Sequence, residues 1–181
     1  MDSLIANLEA ILNLCGIDTS SWGIGQAKTI SNLMAELYTK ECYLRINSKA
    51  IIRVVEVVRM EIRDPELGLL IEESQVLPDG RARKRGGVPA GKVRAGEETA
   101  HAAGCREMEE ELGLKQGTYT CGRWQNNVEV RESSSYPGLQ TEYRLTTLYI
   151  TLNPDTLGLL KPGAHTIEED KTEHFWVWKK E

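Results

Sequence analysis

Residues Gly91–Leu114 read GKVRAGEETAHAAGCREMEEELGL, and the half from Arg106 to Leu114 decides how the rest of the chain is read. Glutamate stands at 107, 109, 110 and 111, Met108 interrupts the run, and Gly113 follows it. On a helix, at about 100° per residue, Glu107, Glu110 and Glu111 share one narrow face, because they stand at i, i+3 and i+4. Cys105, Met108 and Leu112 fall on the opposite side, as an apolar stripe suited to packing on a sheet. Glu109 lies off the carboxylate face, and Gly113 supplies the left-handed residue that ends the helix. Three like charges on one face repel, by a few tenths of a kcal/mol for each i,i+4 pair. Such a run is ordinarily a solvated surface. A divalent cation between the carboxylates reverses the repulsion. Clustered oxygen ligands suit Mg²⁺ or Mn²⁺, hard ions that keep several waters and share themselves with substrate phosphates.

The order Arg106-Glu107-Met108-x-Glu110-Glu111-x-Gly113-Leu114 resembles the second half of the Nudix box, G-x5-E-x7-R-E-U-x-E-E-x-G-U with U apolar. Seven residues separate Glu98 from Arg106, as in the box, and six separate Gly91 from Glu98, one more than in the box. Glu97 therefore keeps the spacing from Gly91 and Glu98 the spacing from Arg106. One extra residue in a loop costs little and leaves the helical positions in register.

The resemblance implies a role for each of these residues. Glu107, Glu110 and Glu111 would ligate the metal with the Gly91 carbonyl, Arg106 would orient the carboxylates, and Glu98 would hold the loop and the outer metal shell. The implied fold is an α/β/α sandwich around a mixed sheet. The implied reaction is metal-dependent hydrolysis of a diphosphate linkage in a nucleoside diphosphate derivative. Attack of water on phosphorus builds negative charge, which divalent cations neutralise while a carboxylate accepts the proton. Glu111 is one candidate for that base. Family members often place a base or an extra ligand in the loop before the last strand, where Glu168, Glu169 and Glu173 stand, Glu169 first among them.

Length and composition fit this reading. A chain of 181 residues makes one domain, or one with a small appendage. Hydrophobic content of 40% and charged content of 27% are ordinary for a globular protein. A net charge of −5 argues against broad nucleic-acid binding, since no surplus of cations exists to displace counterions. Cys15, Cys42, Cys105 and Cys121 form no C-x-x-C pair and are expected as free thiols of a reducing compartment. No apolar run reaches the length of a membrane span, and the N-terminus lacks a basic region followed by an apolar core. The expectation is an intracellular, cytoplasmic protein.

Working outward toward the N-terminus, Leu4, Ile5, Leu8, Ile11, Leu12 and Cys15 follow the helical period, with Asp2 or Ser3 as cap and Gly16 as stop. Ile30, Leu33, Met34, Leu37 and Tyr38 make a second stripe. Residues 1–42 are thus expected as a helical hairpin ahead of a catalytic domain at 43–181. Such a hairpin can pack on the core, form a homodimer contact or dock a partner; packing is the plainest. The pattern Gly23-x-Gly25-x-x-Lys28-Thr29 has the wrong spacing for a phosphate-binding loop and no strand before it.

From Ala50 the period changes to two, giving a strand over 50–62 closed by Asp64-Pro65, and Leu69-Leu70-Ile71 opens another. Arg81, Arg83, Lys84 and Arg85 then crowd together before the box. They are either a solvated loop or a clamp for substrate phosphates. Val88-Pro89-Ala90-Gly91 resembles the subset of Nudix enzymes that cleave ADP-ribose and nucleotide sugars. After the box, 118–124, 127–131 and 141–152 read as strands, and Tyr136, in the loop 132–138, is a candidate to stack on a base. His174–Trp178 is the final strand, and the chain ends three residues later. Nudix folds usually place a further helix there, so the N-terminal hairpin is expected to cover the sheet in its place.

The substrate is then a phosphorylated small molecule, a nucleotide first. Nucleoside triphosphates, capped RNA, diphosphoinositol polyphosphates and isoprenoid diphosphates are rival substrates. A non-catalytic nucleotide- or RNA-binding module is the rival class. The retained trio Glu107, Glu110 and Glu111 speaks against that class, since a module relieved of chemistry has no use for repelling carboxylates.

Overall fold

The computed structural model describes residues 2–47, 50–160, 163–167 and 171–180. In chain order the elements are α1 (Asp2–Leu14), α2 (Ile30–Tyr38), β1 (Tyr43–Asn47), β2 (Ala50–Asp64), β3 (Gly68–Val76), β4 (Ala82–Gly87), β5 (Ala90–Lys92), α3 (Ala100–Leu112), β6 (Tyr119–Glu132), β7 (Gln140–Leu152), α4 (Pro154–Leu157), β8 (His165–Ile167) and β9 (Glu173–Lys179). Strands are hydrogen-bonded in the order β6-β7-β2-β3-β9-β8, with β1 and β5 also on β2 and β4 also on β3. The α/β class expected of the sequence is the class observed. Among the described residues no helix is long and apolar enough to cross a membrane.

Contacts divide the chain into two units: residues 1–56, 92–99 and 127–145 in the first, and 57–91, 100–126 and 146–181 in the second. In the first unit, α1 and α2 pack on each other, and Leu12, Leu33, Val54, Tyr136 and Leu139 are fully buried. A Thr29–Asn32 capping box starts α2. The Trp22 indole donates to the Pro137 carbonyl at 2.9 Å, and the Lys28 amide donates to the Ser135 carbonyl at 2.8 Å. At the centre, Glu36 accepts from Lys28 at 2.6 Å and from Arg53 at 2.5 Å, and lies 3.3 Å from Lys92. Alternation along the strand predicts Arg53 on the outer face; it is buried instead, because Glu36 and the Tyr136 ring receive its guanidinium.

In the second unit, Val58, Met60 and Ile62 are buried and alternate with Arg59, Glu61 and Arg63, the period the sequence predicts. They share a core with Leu70, Met108, Leu114, Leu160 and Trp176, each stabilising the fold by roughly 1.5–3 kcal/mol. Asp64 closes β2 by accepting the Glu66 and Leu67 amides. β3 pairs antiparallel with β9, Leu70 opposite Trp178 and Glu72 opposite Trp176, and a bulge between Glu72 and Ser74 shifts the register.

Two expectations change. The basic run is a strand, β4, paired with β3, and not a loop. Residues 118–124 and 127–131 belong to one continuous β6. Across their junction, Thr146 donates to Asn126 and Tyr149 to Gln125, so the polar pair stays in the ladder. Short β1, α4 and β8 have no periodic signal of their own.

Candidate active site on the glutamate-rich helix

Helix α3 lies close on the second unit's sheet because Gly104 lacks a side chain. A Cβ there would sit 2.5 Å from Leu148 Cδ1 and 3.4 Å from Val58 Cγ2. Met108 and Leu112 face the core, as the stripe requires, and Glu109 is exposed. Gly113, at φ +68°, ends the helix, its amide returning to the Glu109 carbonyl at 3.0 Å.

The carboxylate face is not uniform. Glu107 and Glu111 are each only 8% exposed, whereas Glu110 stands in solvent. Arg106 donates to Glu107 at 2.5 Å and to Glu110 at 3.0 Å, so one guanidinium holds two carboxylates on adjacent turns. Gly91 comes up against the same group. A Cβ at position 91 would fall 1.9 Å from Glu107 Cδ and 2.0 Å from Oε1. Only a residue without a side chain lets the backbone reach that carboxylate.

Glu98 belongs to the first unit. Its carboxylate accepts the Arg94 amide at 2.9 Å, and its own amide donates to the Arg94 carbonyl at 3.2 Å. Glu97, the other residue at the lengthened spacing, pairs with Lys40 at 2.7 Å. Glu98 therefore folds back on its own loop while Glu97 reaches the segment after α2. Glu168 and Glu169 lie outside the described residues.

The basic strand is largely engaged. Arg81 binds Asp79 at 2.7 Å, Arg83 binds Gln75 at 2.6 Å, and Arg85 binds Glu72 at 2.8 Å. Lys84 alternates to the other side of β4 and is exposed. Behind Arg85 lies a buried pair: His174 Nδ1 donates to Glu72 Oε1 at 2.7 Å. Burial pushes the Glu72 carboxyl up, but hydrogen bonds from His174 and Arg85, and their charges, outweigh it and hold it below the ordinary range. Sequence reasoning missed this pair. Its one signal is that Glu72 follows directly on the apolar run Leu69–Ile71 within a strand.

Tyr136 is a correction. The ring is fully buried, with Trp22 at 5.1 Å on one side and the Arg53 guanidinium at 5.1 Å. No face of it is open to a base. The turn-like sequence around Pro137-Gly138 suggested exposure, but Trp22 covers it.

Among the described residues, no group of three or more His, Cys, Asp or Glu side chains closes into a metal cage. That is compatible with Mg²⁺ or Mn²⁺, which bind through one or two carboxylates and keep several waters. The donor set is all oxygen, carboxylates beside a backbone carbonyl segment at Gly91, and fits such an ion.

Residues 53–178 match the family model for the NUDIX domain. Among solved structures, an Ap4A hydrolase of C. elegans matches at 20% identity and TM-score 0.35, over 69% of this chain and 80% of that one. A binary complex of C. elegans Ap4A hydrolase matches at 19% and 0.38, over 70% and 80%. The E. coli ORF135 protein matches at 23% and 0.35, over 52% and 60%. Likenesses at those scores carry no argument about what this chain cleaves. No curated protein matches it. The family match spans well over half of the sequence and contains Gly91, Glu98, Arg106, Glu107, Glu110 and Glu111, and the chain therefore belongs to the Nudix family, as a hydrolase of diphosphate linkages.

Proposed function

We propose that this Nudix hydrolase cleaves the diphosphate linkage of a nucleoside diphosphate derivative, with ADP-ribose and nucleotide sugars as first candidates. Glu107, Glu110, Glu111 and the Gly91 carbonyl hold Mg²⁺ or Mn²⁺. The observation that carries this reading is the Glu107 carboxylate lying against Gly91 while Arg106 ties it to Glu110. A bound divalent cation would supply the charge that neutralises the phosphate oxygens as negative charge builds on them.

The chain's own residues supply the rest. Arg106 fixes the two carboxylates against their mutual repulsion, so that they need not reorganise when substrate arrives. Glu111, nearly enclosed at the end of the helix, is the candidate to take the proton from the attacking water. Glu98 holds the loop ahead of α3 in shape through Arg94. Lys84 on β4, exposed on the other side from Arg83 and Arg85, is the cation to meet the outer phosphate. Residues 1–42 are a helical appendage to a Nudix domain at 43–181, packed on it through Trp22, Lys28 and Glu36. Four free cysteines support a reducing, cytoplasmic setting.

The test is a mass-spectrometric panel of nucleotide diphosphate compounds with Mn²⁺, run on wild type, Glu110→Gln and Glu111→Gln. Cleavage by wild type that both variants lose while melting normally is the expected result. Near wild-type turnover in both variants contradicts the assignment.

A further inference from the structure

Helix α3 ends at Leu112, and its last four carbonyls have no partner within the helix. The Gly113 and Leu114 amides return to Glu109 and Met108. The Glu111 carbonyl is met from outside the helix: the Thr166 hydroxyl on β8 donates to it. Thr166 is held in turn, because the Trp176 indole donates to its oxygen at 2.8 Å. Trp176 is 1% exposed. Its ring stacks on His174, with centroids 5.6 Å apart and planes 4° from parallel, and His174 is bonded to Glu72. A fixed run of groups on β3, β9 and β8 thus terminates on the backbone of Glu111. All of them belong to the second unit.

From this geometry we infer that Thr166 is a positioning residue for the cation-holding face of α3, acting through the Glu111 carbonyl. The inference rests on the reading of Glu111 as part of that face. The side chain of Glu111 has little room, so its direction follows the backbone of the last helical turn. That turn is where helices ordinarily fray, and a carboxylate displaced by an ångström no longer meets an ion shared with its neighbours. The hydroxyl holds the turn at the one residue whose side chain must not drift. Trp176 fixes the rotamer of Thr166, as outer partners of ligating groups commonly do.

A structural cap alone would alter melting and nothing else, so the test reads cation binding well below the melting temperature. Full-length wild type, Thr166→Val, Thr166→Ser and Glu111→Gln are titrated with Mn²⁺ alone by electron paramagnetic resonance, with melts recorded in parallel. Thr166→Val keeps the β-branched shape and removes the donor; Thr166→Ala repeats the test should valine disturb β8. The expected result is weaker Mn²⁺ binding by about tenfold in Thr166→Val, and binding within about twofold of wild type in Thr166→Ser, which keeps the hydroxyl. Wild-type affinity in Thr166→Val, with Glu111→Gln weakened, overturns the inference and leaves the hydrolase reading standing. Equal weakening in the valine and serine variants overturns it too, since the hydroxyl would not be the agent. Unchanged binding in Glu111→Gln removes the reading of the face and this inference together.

Discussion

Two sets of carboxylates in this chain are treated differently. Glu36, in the first unit, is met by Lys28, Arg53 and Lys92. Burial pushes its carboxyl up, but the Lys28 hydrogen bond and the charges of Arg53 and Lys92 outweigh this and bring it down to about 2. On α3, in the second unit, Glu107 and Glu110 share the guanidinium of Arg106, with Glu111 on the same face. A carboxylate surrounded by cations is a structural charge, finished when the chain folds. On α3 two carboxylates share one guanidinium, and one of them, Glu110, stands in solvent where a ligand can reach it. The contrast sets the acid that holds the fold against the acids proposed to hold the cation.

The contrast breaks most visibly at Glu111. Glu111→Gln should lower kcat/KM by about 10²–10⁴-fold, the usual contribution of a positioned base, with an unchanged melt. Gly91→Ala comes next. A methyl at 1.9 Å from Glu107 Cδ must displace that carboxylate, and a loss of roughly 10–100-fold in kcat is expected, read alongside Mn²⁺ affinity.

Glu36→Gln should instead spare kcat and lower stability by on the order of 2–3 kcal/mol at neutral pH, measured by urea unfolding. The sign follows from a carboxyl depressed in the fold. The stability it contributes is complete above its ordinary value of 4.5 and is lost as pH falls toward about 2. The variant's unfolding midpoint should therefore vary less than wild type's between those values. Lys84→Ala should raise KM a few-fold and leave the melt unchanged, whereas Arg85→Ala should lower the melt, because Glu72 loses a partner. The smallest effect belongs to Tyr136→Phe. The ring keeps its packing against Trp22 and Arg53, so activity should stay within about twofold and stability within about 1 kcal/mol.

Much of this was legible in the residues, and for one reason: spacing along a helix or strand fixes which side chains share a face. The α3 carboxylates, the Met108–Leu112 stripe, the stop at Gly113 and the alternation of Val58, Met60 and Ile62 all follow from period alone. What the period does not encode is who meets a face once it is formed. Arg53, on β2, reads as an outward charge until Glu36 arrives from α2. Tyr136 reads as a loop aromatic until Trp22, more than a hundred residues away in sequence, covers it. The basic run reads as free cations, yet Gln75 and Glu72 on the neighbouring strand take Arg83 and Arg85. The Glu72–His174 pair and the Thr166 cap lie wholly in this class, since each joins elements far apart in the chain. Local pattern placed the carboxylates on one helix; long-range partners decide which charges of the chain are available.

The most direct measurement is Mn²⁺ binding to wild type and to the Glu107→Gln/Glu111→Gln double variant, with Glu36→Gln as the control carboxylate. Wild type and Glu36→Gln should bind Mn²⁺ alike, and the double variant should lose binding while remaining folded. Equal binding in all three proteins would contradict the cation-holding role of α3.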